Sequence, residues 1–472
     1  MSSLTAVRVA APHRLLLPLL AFCQLIVAID YNIVLVALPR MQEALGFSPS
    51  SLQWVVSAYA LAFGGVLLFA GRFTDIFGQR IGMFIGLALY GLGSGLAAVA
   101  GNPALVLVGR VAQGLGGALL TPSVLSTIFR TYAEGPARFK ALAVWSGAGA
   151  VGLASGSALG GILTSATGWR GVFVVNIPLV VLALVGAAIA MPRDAVGAER
   201  PRLDVPGAIL ATIGSVGVVF ALAQGPAEGW GSRSVVAAAL AGIAALAAFV
   251  VVERNSAHPL LPLHLLGNRV LTIGLVSMLL FLGSIGTSYY VFTLFLQDVL
   301  GRSALVTGLA FLPWGVAGIV GSKMAESVLD RWGVTTTLCA GMVIGAAGTA
   351  ALALTIRTTT PVWVAVVATL VLALGQAMGF ASLFASAAAG VDPEHQGVTS
   401  ALMSTCQQIG NAAGLAFLGA LAAAVATRSG APTASDTASG LRLVSWIAAG
   451  MLVVGAVIAL GGRTRQPGEV RS

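Results

Sequence analysis

Apolar stretches long enough to cross a lipid bilayer recur along almost the whole of this 472-residue chain and leave no room for a soluble core. A hydrocarbon slab of about 30 Å needs roughly 20 apolar residues of helix. Inside it, every backbone N–H and C=O must be bonded within the segment, so a long apolar run commits the chain to helix. Such runs fall at residues 15–38, 51–70, 82–100, 103–128, 138–163, 172–191, 206–224, 234–252, 270–296, 304–325, 335–356, 361–388, 397–427 and 440–462. The expected fold is an all-α membrane protein with fourteen transmembrane helices. Composition agrees, since 57% of residues are hydrophobic, 9% are charged and mean hydropathy is +0.95.

The charge balance carries orientation rather than a nucleic-acid partner. The net charge is +9, but the 25 basic residues are scattered over short connections and form no run. With an even number of crossings both termini share a side. That side holds 17 basic residues and the other holds 7, with Arg110 between them inside a span. An excess of this kind places both termini in the cytoplasm and the chain in the cytoplasmic membrane. Cys23, Cys339 and Cys406 all lie in apolar spans without ligand spacing, so neither disulfides nor a metal is expected. The first apolar run lacks a small-residue cleavage site after it and reads as a retained helix.

The longest polar connections, Pro192 to Val205 and Glu253 to Asn268, flank the seventh and eighth spans. These two spans read as an insert between two six-helix halves. The expected division is 1–191, a two-helix insert with its loops at 192–269, and 270–472. A faint internal echo supports it: Gly71 to Arg80 closes the second span, and Gly321 to Gly333 closes the tenth.

Two charges interrupt this apolarity. A carboxylate at mid-helix, Asp30, costs roughly 2.5 to 3.5 kcal/mol to insert, so it must face a cavity or a partner. Low-dielectric surroundings disfavour an ionised carboxyl, which lets an acid there load and release a proton near neutral pH. Arg110 remains charged at any relevant pH and needs acceptors or a carboxylate. Asp30 lies 8 residues before Leu38 on an outward-running helix, and Arg110 lies 7 after Pro103 on an inward-running one. At 1.5 Å per residue both sit about 10 to 12 Å below the outer surface, so they can pair. Two plainer roles stay open: Asp30 as a structural acid bonded to Asn32 or a hydroxyl, and Arg110 as a tie to backbone carbonyls.

Several segments carry a family resemblance. Gly71-Arg72-Phe73-Thr74-Asp75-Ile76-Phe77-Gly78-Gln79-Arg80 reads as a tight cytoplasmic turn, and it resembles the loop signature of the major facilitator superfamily. The resemblance implies a gating loop of Gly71, Asp75, Gly78 and Arg80, in which the acid caps a neighbouring helix and pairs with arginine. Ile76 and Gln79 stand where that signature often carries basic residues. Ile29-Asp30-Tyr31-Asn32 through Pro39 looks like the first-helix signature of the fourteen-span drug:proton antiporter family. Arg110-Val111-Ala112-Gln113-Gly114 is similar to its embedded-arginine motif, and Gly168-Trp169-Arg170 through Asn176-Ile177-Pro178 to its sixth-span entry. Gly152, Gly156 and Gly160 share one helical face, with Gly161 beside them, which suits close helix packing. The same run resembles the glycine-rich antiporter signature, with Ser157 in place of a proline.

The resemblance implies a proton-coupled exporter of an amphipathic drug or antibiotic. Its partners would be protons, the small substrate and the lipid bilayer, and the chain is expected to act as a monomer. Asp30 and Arg110 would couple protons. Tyr31, Asn32, Trp54, Gln113, Tyr289, Gln407 and Asn411 are candidates for the substrate cavity, although hydrogen bonding to another helix is the plainer role for Gln407 and Asn411. A proton-coupled transporter of an ordinary metabolite, as exporter or symporter, is the alternative. No nucleotide-binding loop occurs and no cofactor is expected. An enzyme is disfavoured, because the four histidines lie outside any acid or cysteine cluster.

Overall fold

A computed structural model describes residues 14–47, 52, 54–194, 204–256, 259, 261, 263–302, 304–387, 396–426 and 433–461; these residues form helices and short connections without a strand. Arg8, Arg200, Arg202, Arg428, Arg463, Arg465 and Arg471, used above for orientation, lie outside them.

The helices are α1 Leu16–Leu45, α2 Trp54–Phe77, α3 Gln79–Ala98, α4 Pro103–Thr131, α5 Pro136–Thr167 and α6 Gly171–Ala190, the last interrupted at Val175. They continue as α7 Val205–Glu228, α8 Arg233–Asn255 and α9 Arg269–Leu294, which runs into a π-turn at Phe295–Val299. One helical run, Ala304–Thr355, contains the non-helical residue Gly333 at φ 77° and ψ 175°. We label its limbs α10 (304–332) and α11 (334–355). Next come α12 Val362–Ala387, α13 Gln396–Ala426 and α14 Ala434–Leu460.

The starts are written in local chemistry. Asn102 accepts the Leu105 N–H before Pro103, Asp204 accepts the Gly207 N–H before Pro206, and Thr433 with Asp436 forms a capping box. The first helix runs past Pro39, where its apolar span was expected to close. It stops at Gly46, which has φ 70° and returns its N–H to the Gln42 carbonyl.

Among the described residues, eleven helices are long and apolar enough to cross a membrane, or twelve with the bent α5, whose parts Pro136–Leu153 and Ala158–Thr167 meet at 46°. The difference from the fourteen expected has three sources. α5 is broken by its bend, α7 has only a shorter apolar helix at Pro206–Leu222, and α10 and α11 count as one stretch of 50 residues. Run straight, the 52-residue helix would be about 78 Å long. It is not straight: a Cβ built on Gly321 of α10 would meet the Leu374 carbonyl at 2.6 Å, and one on Gly375 would meet the Gly345 nitrogen of α11 at 2.1 Å. Both limbs therefore touch the same turn of α12, and the chain doubles back at Gly333.

Helices α1 to α6 pack on one another, chiefly α1 on α5, α3 on α4 and α2 on α4, and α9 to α14 do the same. Contacts between these groups run from α5 to α10 and α12 and from α2 and α4 to α13. At the end holding the α2–α3 turn, α4 is buried continuously from Gly116 to Phe129, and Trp145 of α5 packs on Phe380 and Phe384 of α12. At the other end Tyr31 and Leu35 of α1 are 48% and 43% exposed. The α7–α8 hairpin sits outside, with α7 against α2 and α13 and α8 packed mainly on α7.

Candidate functional site

Five helices converge on Asp30, which is fully buried. Its Oδ2 lies 2.5 Å from Arg110 Nη1, and its Oδ1 accepts from Gln113 Nε2 at 3.2 Å and from Asn176 Nδ2 at 3.0 Å. The guanidinium is held on further sides. Its Nε donates to the Val55 carbonyl of α2 at 2.8 Å, Nη1 also reaches Gln113 Oε1 at 2.9 Å, and its carbon lies 4.4 Å from the centre of the Tyr59 ring. Gln113 Nε2 additionally donates to Ser94 Oγ of α3 at 2.8 Å. An ion pair withdrawn from water is tolerable only when its remaining donors and acceptors are bonded, and here they largely are. The Tyr59 and Tyr90 hydroxyls complete the surroundings.

Glycines set these helices close enough. A Cβ on Gly93 of α3 would lie 2.5 Å from the Gly109 carbonyl of α4, and one on Gly114 would lie 2.6 Å from the Tyr59 carbonyl of α2. Any side chain there would drive α4 away from the carboxylate's other partners. The second stripe acts between α5 and α1: Cβ atoms on Gly156 and Gly160 would meet the carbonyls of Ile29 and Ile33 at 2.7 and 2.8 Å, and one on Gly152 would meet Ala28. Gly161 faces open space. Asn32 ties the same seam by donating to the Leu153 carbonyl at 2.7 Å, and it does not bond Asp30.

The expected tight turn from Gly71 to Arg80 is instead one residue long. Helix α2 continues through Thr74 and Asp75 to Phe77, because nothing before Gly78 breaks it, and only Gly78 leaves helical geometry, at φ 105°. Asp75 accepts the Val398 N–H at the start of α13 at 3.0 Å and lies 3.5 Å from Arg130 Nη2 of α4. A carboxylate at a helix N-terminus meets its free N–H groups and the positive end of its dipole. Arg80 turns away from Asp75 and donates to the Met191 and Ala188 carbonyls of α6, while Asp194 accepts the backbone N–H groups of Arg80 and Ile81. A Cβ on Gly78 would strike that Asp194 carboxylate at 2.1 Å.

The cavity candidates disperse. Tyr31 is exposed on α1, whereas Gln113 belongs to the Asp30 cluster and Trp54 lies against Phe220 of α7, with ring centres 5.7 Å apart. Tyr289 stacks on Trp314 at 4.3 Å and on Phe311 at 5.5 Å, and Trp314 Nε1 donates to Gln376 Oε1 at 2.8 Å. Gln407 and Asn411 lie a turn apart on α13, where the Asn411 side chain approaches Gly286 of α9. Sequence reasoning quoted Asn176 within a motif but gave it no role. A buried asparagine one residue after a helix break was the available signal.

The Major Facilitator Superfamily sequence model matches residues 20–415. The cephamycin export protein CmcT of Amycolatopsis lactamdurans is 37% identical over 401 residues, 83% of this chain and 82% of that one. The puromycin resistance protein pur8 of Streptomyces alboniger is 36% identical over 467 residues, 95% and 92% of the two chains. Among solved structures, the proton:xylose symporter XylE superposes with a TM-score of 0.66 at 16% identity, covering 94% of each chain. The human organic anion transporter MFSD10 gives 0.68 at 13% identity, covering 94% of this chain and 99% of that one.

Proposed function

Because the chain belongs to the Major Facilitator Superfamily and is a transporter rather than an enzyme, we propose that it exports an amphipathic antibiotic or drug across the cytoplasmic membrane in exchange for protons. The observation that carries the proton half of this reading is the wholly buried Asp30 paired with Arg110. The substrate half is supported by the export and resistance proteins to which the chain is similar along most of its length.

In this reading Asp30 takes a proton while the cavity beside Tyr31 is open to the outside, and Arg110 sets how firmly the proton is held. The close packing from Gly116 to Phe129 and the Asp75 contact with α13 then correspond to a closed cytoplasmic side. Opening it parts Asp75 from Val398 as the halves rock, with α1 sliding on the Gly152, Gly156 and Gly160 stripe. The division is two six-helix halves, 1–191 and 270–472, with the 192–269 insert between them. The proposed fourteen crossings count α5, α7, α10 and α11 separately and put both termini on one side, which the basic-residue excess makes the cytoplasmic one. No partner beyond substrate, protons and lipid is needed, and a monomer suffices.

The test is drug-evoked proton release from everted vesicles carrying an imposed proton gradient, followed by fluorescence dequenching. The wild type responds to its substrate and Asp30→Asn does not. An unchanged response in Asp30→Asn overturns the assigned proton site, and substrate uptake together with protons overturns exchange.

A further inference from the structure

Asn176 supplies the contact that α6 makes with Asp30, and half of its amide is unused. Nδ2 donates to Asp30 Oδ1 at 3.0 Å, while Oδ1 of the asparagine is buried with no donor. Arg110 Nη1 donates to Oδ2 and Gln113 Nε2 to Oδ1 as well. That arrangement suits a carboxylate. Once the acid carries a proton, its O–H requires an acceptor, which N–H groups cannot supply.

The neighbours differ in what they can offer. Arginine has no acceptor. The Gln113 amide is held at both ends, by Arg110 on its oxygen and by Ser94 and Asp30 on its nitrogen. Asn176 is held at one end only. We propose that Asn176 follows the protonation state of Asp30, its amide turning about the Cβ–Cγ bond so that Nδ2 donates to the carboxylate and Oδ1 accepts from the protonated acid. This rests on the reading of Asp30 as the proton site.

The step balances simply. A proton from water binds Asp30 Oδ1, the new O–H donates to Asn176 Oδ1, and no covalent bond of the amide changes. The half-turn exchanges one unpartnered buried atom for another, so that cost is common to both states and cancels. Asn176 is thus a positioning residue that keeps one hydrogen bond to Asp30 through the whole cycle. It opens the longer limb of α6 directly after the break at Val175, so this bond also fixes where that limb begins. The other groups facing the site are Tyr31 on α1, Tyr59 over the guanidinium on α2 and Tyr90 on α3. The Tyr59 and Tyr90 hydroxyls are the competing acceptors.

Infrared difference spectroscopy of the reconstituted full-length protein across a pH step distinguishes these cases. In wild type, a carboxylic C=O band that is lost in Asp30→Asn appears together with an asparagine side-chain amide band, identified by isotope labelling of asparagine. In Asn176→Leu the amide band is lost and the carboxylic band moves to higher wavenumber, as for an acid with a weaker acceptor. A wild-type amide band that stays silent while the carboxylic band titrates overturns the inference, as does a carboxylic band unmoved by Asn176→Leu, which assigns the acceptor to a tyrosine. The labelled wild type decides the matter even where the leucine variant fails to fold. A carboxylic band that survives in Asp30→Asn overturns instead the proton site beneath it.

Discussion

The bundle's two groups of helices bury opposite chemistries. Among α1 to α6 the interior holds a carboxylate, a guanidinium and two amides on Asp30, Arg110, Gln113 and Asn176. Among α9 to α14 lie stacked rings, with Tyr289, Phe292, Phe311 and Trp314 about one another and a neutral hydrogen bond from Trp314 to Gln376. On the function proposed above, the same helical scaffold would carry one region that answers to a proton and another that answers to shape and π-surface. The difference teaches that charge and aromatic surface can be buried in separate halves of one bundle, each altered without rewriting the other.

The comparison breaks most visibly at Arg110. Arg110→Leu leaves the Asp30 carboxylate buried without its counter-charge, a loss of about 3 to 5 kcal/mol. Folded yield and thermal unfolding in detergent should fall sharply, and adding Asp30→Asn should restore much of the stability. A single variant as stable as wild type would show that the polar region is not the electrostatic unit described. Across the cavity, Trp314→Phe keeps a ring for Tyr289 but loses the bond to Gln376, about 1 kcal/mol. It is expected to shift the concentration of drug needed for half-maximal transport several-fold while protons released per drug stay constant. A changed ratio would merge the two regions into one. The smallest effect lies on the seam that joins them: Asp75→Asn removes the charge at the start of α13, worth about 0.3 to 1 kcal/mol. Turnover should change by less than tenfold, with half-maximal drug concentration nearly unaffected.

Much of this was legible from residue order alone, for physical reasons. Helicity follows from apolar length. Equal depth made the pairing of Asp30 with Arg110 possible, since 1.5 Å per residue converts sequence distance into height on helices that cross the bilayer in opposite senses. Height says nothing about azimuth, so Asn176 was not connected to Asp30, 146 positions away. The same blindness left unseen that Trp54 lies against Phe220 of the insert. The expected turn at Gly71 failed because charged residues do not end a helix. The residue that does is Gly78, whose positive φ no side chain favours. Gly333 shows the converse: the two limbs were separated correctly by hydropathy, yet continuous helical hydrogen bonding runs almost through the reversal.

The α7–α8 hairpin has a mechanical consequence. Val216 and Val219 of α7 fit against Gly65 and Gly64 of α2, and Trp230 stacks flat on Phe417 of α13 with ring centres 5.3 Å apart. One element thereby leans on both sides of a crack that any tilting of the halves must widen. A solute dissolved among acyl chains meets a fence along this flank.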